Sequence, residues 1–467
     1  MIITREVINK NIIYHECNFA NTGTDYLKQT YRYEDLVRKI NGYKNLLLKN
    51  GAKVNETILI SLTYGIDSLA AFIASAELGL SLAIVNAVKI KKIYCIDTKI
   101  KILLPINYFL VDKNNLSIDK IQFFSMLCDK TIYEDPTDFS ENLEVFATNK
   151  TVHHLCTSSG TSGLPKRIEH THEFIYEISN RNTSYLYKNI MIGGRPTHGS
   201  SLATFYLPSV ISKKTENIYL GSIDDIMLHR KQNTFYSVDS LFDCLQVIYA
   251  ERFEKIINNL SSNPNLTIFV LCAIRKEWLK YIELGKIKNI ISLYGTSETS
   301  GPMMMQYAND ENFATDRFDL LDNYYPITTK NGTIETVIPV YNRYNNTQDL
   351  VETHKQGGIK LIGRKDLIRI NDLIVPCRTY DLELNRIFNN CTLTFDTLCN
   401  KIYLTFWYTD TNAKNKVEKF SNYLKLQSEG RHFINDYDQL EYSDFLNGIK
   451  LDQEMLRQHY RLKSENN

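Results

Sequence analysis

Cys156-Thr157-Ser158-Ser159-Gly160-Thr161-Ser162-Gly163-Leu164-Pro165-Lys166 is the stretch on which the reading of this chain turns. Hydroxyl residues and two glycines crowd ahead of a single lysine. That composition suits an oxyanion. Glycines let the backbone curl so that several N–H groups converge on one point, hydroxyls add donors, and the lysine supplies a point charge. Spacing separates it from two similar devices. A Walker loop sets four residues between its first glycine and a Gly-Lys pair, whereas Gly163 precedes Lys166 by three positions. A G-x-S-x-G nucleophile elbow has an outer glycine spacing that Ser162, set between Thr161 and Gly163, does not match. The plain alternative is a flexible Ser/Gly loop.

Around this loop the chain alternates helical and extended patterns. Tyr33 to Asn50 places Leu36, Ile40, Tyr43, Leu46 and Leu47 at helical spacing and closes at Gly51. Thr57 to Leu62 is a short β-branched run, Ile66 to Leu78 is helical and ends at Gly79, and Leu80 to Val85 reads as a strand. Further on, Leu241 to Leu260 predicts a long amphipathic helix, Leu266 to Leu271 a strand, Trp278 to Leu284 a helix and Ile290 to Leu293 a strand. The tail mixes strands near 373, 393 and 402 with helices near 380, 413 and 453. Strand and helix at such short intervals predict a layered α/β protein.

Composition sets the outer limits. The chain has 467 residues, 54 Lys plus Arg against 53 Asp plus Glu, and a net charge of +1. That balance gives no electrostatic case for a nucleic-acid or membrane-surface partner. The nine cysteines include no C-x-x-C pair and predict free thiols in a reducing compartment. The opening MIITREVINKNIIYHE has Arg and Glu by position 6 and does not resemble a signal peptide. Leu69 to Val85 is the longest apolar stretch, and Ser75, Glu77, Gly79 and Ser81 interrupt it well short of the about 20 residues of a spanning helix. A cytoplasmic protein without membrane insertion is expected.

Ser158 to Lys166, S-S-G-T-S-G-L-P-K, resembles the phosphate-binding signature S-G-T-T-G-x-P-K of the adenylate-forming (AMP-binding) superfamily, which includes acyl- and aryl-CoA synthetases, peptide-synthetase adenylation domains and luciferases. Ile168-Glu169-His170-Thr171-His172 is similar to the V-x-x-T-H that follows it. More segments come in the family's order. Tyr294-Gly295-Thr296-Ser297-Glu298 resembles Y-G-x-T-E, whose Tyr flanks adenine, whose hydroxyl contacts the α-phosphate and whose Glu helps hold Mg²⁺. Asn345 to Asp349 resembles Y-R-T-G-D, with Asp349 implied as the ribose ligand, because a carboxylate can accept from both hydroxyls. Gly363-Arg364-Lys365-Asp366 resembles the G-R-x-D of the domain boundary, with Arg364 reaching the nucleotide and Asp366 as the hinge. Asn447-Gly448-Ile449-Lys450-Leu451-Asp452 is similar to the segment holding the family's catalytic lysine, which makes Lys450 the candidate. Tyr33 to Leu36, Gly51 and the strand at 57–62 match the family's opening more loosely.

The resemblance implies a large α/β domain over 1–365 and a small, mobile α+β domain over 366–467. It implies ATP and Mg²⁺ as cofactors. Ser158, Ser159, Gly160, Thr161, Ser162, Gly163 and Lys166 would hold the phosphates, with Tyr294, Gly295, Thr296, Ser297, Asp349 and Arg364 completing the nucleotide site. Lys166, Glu298 and Lys450 would be catalytic, and Glu298 would be the metal ligand. The chain departs from the pattern in three places. Arg167 stands where Gly usually follows P-K. Val270-Leu271-Cys272-Ala273-Ile274 carries no glycine where the adenine loop falls. Leu367 to Asp372 lacks the glycine that lies by the pantetheine path.

On the substrate side, His198 falls where family members gate the carboxylate pocket, and no nearby Asp stands ready to hold an amino group. This implies a small aryl or acyl carboxylic acid, adenylated to acyl-AMP with release of pyrophosphate and passed to a thiol, either CoA or a carrier-protein phosphopantetheine. An acyl-carrier protein is then a possible partner. Amino-acid adenylation, amide formation and a catalytically degenerate protein of the same fold are the alternatives.

Overall fold

The computed structural model describes residues 1–17, 27–62, 65–84, 106–112, 121, 125, 128–157, 167–192, 201–221, 243–247, 253, 256–258, 263–271, 274, 276–308, 317–321, 327–330, 333–338, 343–353, 358–364, 368–370, 373–375, 384, 391–396, 401–407, 411–427, 434–440, 444, 446–447, 450–451 and 453–465. The first strands are β1 (Ile13–Cys17) and β2 (Leu27–Tyr31). Helix α1 (Tyr33–Lys49) starts where the Arg32 N–H donates to the Asp35 carboxylate at 2.8 Å. This satisfies one of the donors that a helix start leaves open. It ends at Gly51, whose φ of +87° suits glycine. Strand β3 (Thr57–Ser61) leads to α2 (Ile66–Glu77), which is buried on nearly every side and stops before Gly79 at φ +71°. Then come β4 (Ser81–Ile84), β5 (Ile106–Val111), β6 (Cys128–Tyr133), β7 (Val152–Thr157), β8 (Arg167–Thr171) and α3 (His172–Asn182).

These strands build a six-stranded sheet in the order β6-β5-β3-β4-β7-β8, parallel except for the last, antiparallel pair. A second sheet gathers β1 and β2 with β9 (Asn189–Ile192), β10 (Asn217–Leu220), β11 (Cys244–Val247), β12 (Asn263–Val270), β13 (Ile287–Thr296) and β14 (Gly301–Tyr307). It continues through β15 (Arg317–Leu320), β16 (Ile327–Lys330), β17 (Thr333–Ile338), β18 (Arg343–Thr353) and β19 (Ile359–Arg364). Its centre, β1-β10-β9-β11-β12-β13, is parallel, and the strands beyond β13 are antiparallel.

Alternation along the strands sorts side chains between layers. Ile58 and Ile60 of β3 face a core shared with Leu69 and Phe72 of α2 and with Ile190, Ile218, Phe269 and Ile291 of the other sheet. Leu59 points the other way, to Phe109 and Val111. Both parallel sheets are thus covered on two faces, as such sheets require. The shared core also encloses a charge: Glu77, at the end of α2, pairs with Arg5 at 2.6 Å and Lys44 at 3.0 Å, all three buried.

One expectation is overturned. Cys244–Val247, inside the stretch read as a long helix, is β11, a central strand between β9 and β12. A strand buried on both faces loses the alternation that would distinguish it from a helix. The helix expected near 380 falls mostly outside the described residues, where only Leu384 is helical.

Beyond Arg364 the strands form small sheets of their own. Strands β20 (Ile368–Ile370) and β21 (Leu373–Val375) pair as a hairpin. Strands β22 (Cys391–Asp396), β23 (Lys401–Phe406) and β24 (Asp436–Gln439) form a three-stranded sheet. Strands β25 (Leu446–Asn447) and β26 (Lys450–Leu451) form a second hairpin. A separate core of Leu393, Phe395, Leu404, Phe406, Phe420 and Leu424 lies between the three-stranded sheet and the helix Ala413–Gln427. The final helix, Gln453–Glu465, docks through Tyr460, which stacks on Tyr403 at 4.2 Å, and through Arg461, which grips the Asp396 carboxylate. Among the described residues no helix is long and apolar enough to cross a membrane, and Cys17, Cys128, Cys156 and Cys391 are free thiols.

Candidate functional site

The phosphate-loop candidate joins two strands that pair with each other. In the β7–β8 register Cys156 faces Ile168 and Thr157 faces Arg167, so 158–166 connects paired neighbours. Ser158, Ser159, Gly160, Thr161, Ser162, Gly163 and Lys166 themselves lie outside the described residues, as do His198 and Asp366. The base of the hairpin is described. At its edge Arg167, the residue that replaces a glycine of the motif, forms an ion pair with Glu169 at 2.5 Å on the solvent side.

The second segment closes the end of β13. Leu293 is buried, Tyr294 half-buried and Gly295 exposed at the carboxyl end of the strand, the end at which open α/β sheets bind ligands. The pairing with β14 shifts between Tyr294 and Gly295. Gly295 is required by close approach: a Cβ there would overlap the Gly301 carbonyl oxygen and sit 2.9 Å from its carbon and 3.1 Å from the Pro302 Cα. The turn holds its own shape. The Thr299 N–H donates to the Thr296 carbonyl at 3.2 Å, and the buried Thr299 hydroxyl accepts from the Thr296 N–H at 3.1 Å. Ser300 adopts φ +51°, a left-handed conformation uncommon outside glycine.

The structure sets the base of the β7–β8 hairpin against this turn. His170 on β8 lies with Nε2 2.8 Å from the Ser297 carbonyl, so that nitrogen donates and carries the proton. The Cys156 thiol lies 3.8 Å from the same carbonyl, and the Ser300 hydroxyl is 3.1 Å from His154 Nε2. No motif in the sequence marks His154 for a role or connects Cys156 and His170 to the turn. One signal was present: His154 and Cys156 are two apart on a strand, hence on one face. That His170 stands directly across from His154 is a fact of register.

Electrostatics follow from enclosure. Burial pushes the Cys156 thiol up to about 12, and the charge of Glu298 adds to the shift. Burial holds His153 and His154 neutral, with the neighbouring histidines adding to the effect. Glu298 is half-buried, and among the described residues its carboxylate has no hydrogen-bond or ion-pair partner. A carboxylate at a strand end supplies the oxygen donors that Mg²⁺ takes.

The remaining candidates are described by their backbone. Asp349 on β18 and Arg364 on β19 are direct cross-strand partners. Two residues fifteen apart in sequence therefore occupy one place in the sheet. Lys450 sits on β26 opposite Asn447. Val270 ends β12, while Cys272 and Ala273 of the expected adenine loop fall outside the described residues.

No protein-family model matches the chain, and no curated protein matches it in sequence. Solved structures match it along nearly its whole length. An o-succinylbenzoate coenzyme A synthetase from Bacillus subtilis, in complex with AMP, superposes with a TM-score of 0.70 at 14% identity, over 97% of this chain and 96% of its own. An anthranilate CoA ligase in complex with anthranoyl-AMP gives 0.70 at 12%, over 94% and 93%. The McyG A-PCP protein complexed with phenylalanyl-adenylate gives 0.71 at 14%, over 99% and 96%. The chain has the fold of these proteins, and the α/β architecture expected from its sequence stands.

Proposed function

We propose that the chain is an AMP-forming acid ligase that adenylates a small aryl or acyl carboxylate and passes the acyl group to a thiol. One observation carries the reading: within this fold, the base of the Ser158–Lys166 hairpin is tied to the Tyr294–Glu298 turn by the 2.8 Å contact between His170 and the Ser297 carbonyl. The strand that leaves the first of the two segments resembling nucleotide-binding motifs thus meets the second. The proteins of like fold named above were crystallised with AMP or acyl-adenylates.

In adenylation a carboxylate attacks the α-phosphorus of ATP and pyrophosphate leaves. Two anions must meet, so the barrier is largely electrostatic. Lys166 and the backbone N–H groups of Ser158 to Gly163 hold the departing phosphates. Thr296 and Ser297 offer hydroxyls to the α-phosphate, and Tyr294 covers the adenine. Asp349 accepts from the ribose hydroxyls, with Arg364 beside it in the β18–β19 register. Lys450 stands between the carboxylate and the α-phosphate, where charge concentrates in the transition state. Glu298 would hold Mg²⁺, which when bound would supply charge neutralisation to the triphosphate.

In this reading, residues 1–365 form the adenylation domain and 366–467 a small domain that turns about Asp366. The separate core around Leu393, Phe406 and Phe420 supports the division. Once the acyl-adenylate has formed, a thiol of CoA or of a carrier-protein phosphopantetheine attacks the acyl carbonyl and AMP leaves. His198 lines the acid pocket.

The test is carboxylate-dependent pyrophosphate release from ATP across a panel of aryl, short acyl and amino acids. At least one aryl or acyl acid is expected to drive release, followed by a thioester on addition of CoA or a phosphopantetheinylated carrier. Release of orthophosphate, or no release with any acid, overturns the proposal.

A further inference from the structure

The face of the β7–β8 hairpin that meets the turn carries a second constellation, separate from the nucleotide residues. His154 and Cys156 project from the same face of β7, and His170 is the cross-strand partner of His154. One donor atom from each lies within 4.8 Å of the others, and all three residues are buried. The turn adds oxygen donors. The Ser297 carbonyl lies 2.8 Å from His170 Nε2 and 3.8 Å from Cys156 Sγ, and the Ser300 hydroxyl 3.1 Å from His154 Nε2. Ser300 reaches this place through a left-handed backbone, the kind of strain that concentrates at functional positions.

We propose that His154, Cys156 and His170 form a binding site for a thiophilic divalent cation, Zn²⁺ being the best match, with the Ser297 carbonyl as fourth ligand. The donor set decides the class. Two imidazoles and a thiolate suit zinc, whereas magnesium and calcium require oxygen. The geometry is close to what zinc needs. Neighbouring donors around a tetrahedral zinc stand roughly 3.3–3.6 Å apart, a range set by Zn–N and Zn–S distances. The 2.8 and 3.8 Å distances from the Ser297 carbonyl bracket that range, and the widest pair of side-chain donors has to close by about 1 Å to reach it. Burial keeps the His154 imidazole and the Cys156 thiol uncharged in the metal-free protein. As the metal binds, the proton that His170 Nε2 donates to the Ser297 carbonyl moves to Nδ1, which frees both the nitrogen and the carbonyl to ligate, and the thiol gives its proton to solvent.

Such a site staples the hairpin that bears the phosphate loop to the turn that bears Glu298. It acts on protein structure and does not depend on which reaction the chain catalyses.

The full-length protein, stripped with a chelator and kept anaerobic, is titrated with Co²⁺ and then with Zn²⁺. Expected is a thiolate-to-cobalt charge-transfer band that saturates at one metal per chain and is bleached by Zn²⁺. Cys156→Ser removes the band, and His170→Gln weakens cobalt binding at least tenfold. Cys391→Ser, in the separate C-terminal core, leaves the band unchanged. Absence of the band in the wild-type protein overturns the proposal without recourse to any variant. A band that survives in folded Cys156→Ser, or wild-type affinity in folded His170→Gln, overturns it as well. Failure of the acid panel to release pyrophosphate leaves these readouts untouched, so the two proposals fail separately.

Discussion

Gly295→Ala places a methyl group where the structure has a carbonyl. The Cβ would overlap the Gly301 oxygen while standing 2.9 Å from its carbon and 3.1 Å from the Pro302 Cα. All three obstacles are backbone atoms, so no side chain can rotate away. The start of β14 has to retreat from the end of β13 by about 1 Å, at the register shift where Tyr294 gives way to Gly295. Overpacking of this kind costs about 1–3 kcal/mol of stability. The effect on function is larger, because a misplacement of about 1 Å in a positioning element lowers rate by about 10²-fold. Acid-dependent pyrophosphate release is therefore expected to fall by about two orders of magnitude, while urea unfolding shows a cooperative protein only modestly less stable. Gly285→Ala is the matched control. Its φ of +64° strains an alanine, yet nothing lies within 4 Å of the added methyl and the residue sits at the far end of β13. It should lose about 1 kcal/mol and keep its activity. Folded Gly295→Ala that releases pyrophosphate within about threefold of wild type would remove the Tyr294–Glu298 turn from the reacting site.

Other perturbations separate the site from its scaffold. Lys450→Ala should lower the rate of pyrophosphate release by about 10²–10³-fold, as the loss of one preorganised charge contact does, with ATP affinity kept; single-turnover kinetics and equilibrium ATP binding check the split. Asp349→Asn exchanges one of two accepting oxygens for a donor NH₂, and the KM for ATP should rise by about 10–100-fold. Glu77→Gln leaves Arg5 and Lys44 buried without their counter-charge and should destabilise the protein by about 3–5 kcal/mol in urea unfolding. The same residue makes a prediction about acid. Burial raises the Glu77 carboxyl, but its hydrogen bonds and charge contacts with Arg5 and Lys44 outweigh that and hold it below its ordinary value. A depressed acid contributes stability that is complete above its unfolded value of about 4.3 and is lost as pH falls through the lower folded value. Between those two values the wild type should lose up to about 1.4 kcal/mol per pH unit more than Glu77→Gln, read from urea midpoints at successive pH values.

The elements legible in the sequence are those whose pattern is local. Helix α1 declares itself through Leu36, Ile40, Tyr43 and Leu47, all buried as their spacing implies, and through glycine at its end. Strand β13 carries Ile287, Ile290, Ile291 and Leu293 and leads into a motif with recognisable chemistry. What could not be read is what depends on pairing. Cys244–Val247 is a four-residue strand in the middle of a parallel sheet, too short for its own periodicity to separate it from the helical pattern around it. The cluster of His154, Cys156 and His170 depends on a register across sixteen residues, and the meeting of Asp349 with Arg364 on another.

The low identity to proteins of the same fold has a related cause. A position such as Ile58, Ile190 or Phe269 is held only by volume and by the core it faces, so another apolar residue serves. Gly295 is held by a backbone atom at contact distance, and a candidate ligand such as Glu298 by the charge it must present. A chain can therefore exchange most of its scaffold and keep short strings of residues where strands end. Resemblance should survive at 158–166 and 294–298 and fade between them, which is the pattern this sequence has. The same reasoning bears on the departures. Arg167 in place of glycine is tolerated because its side chain leaves the hairpin on the solvent side to meet Glu169. At Gly295 no such exit exists, and there the motif residue is kept.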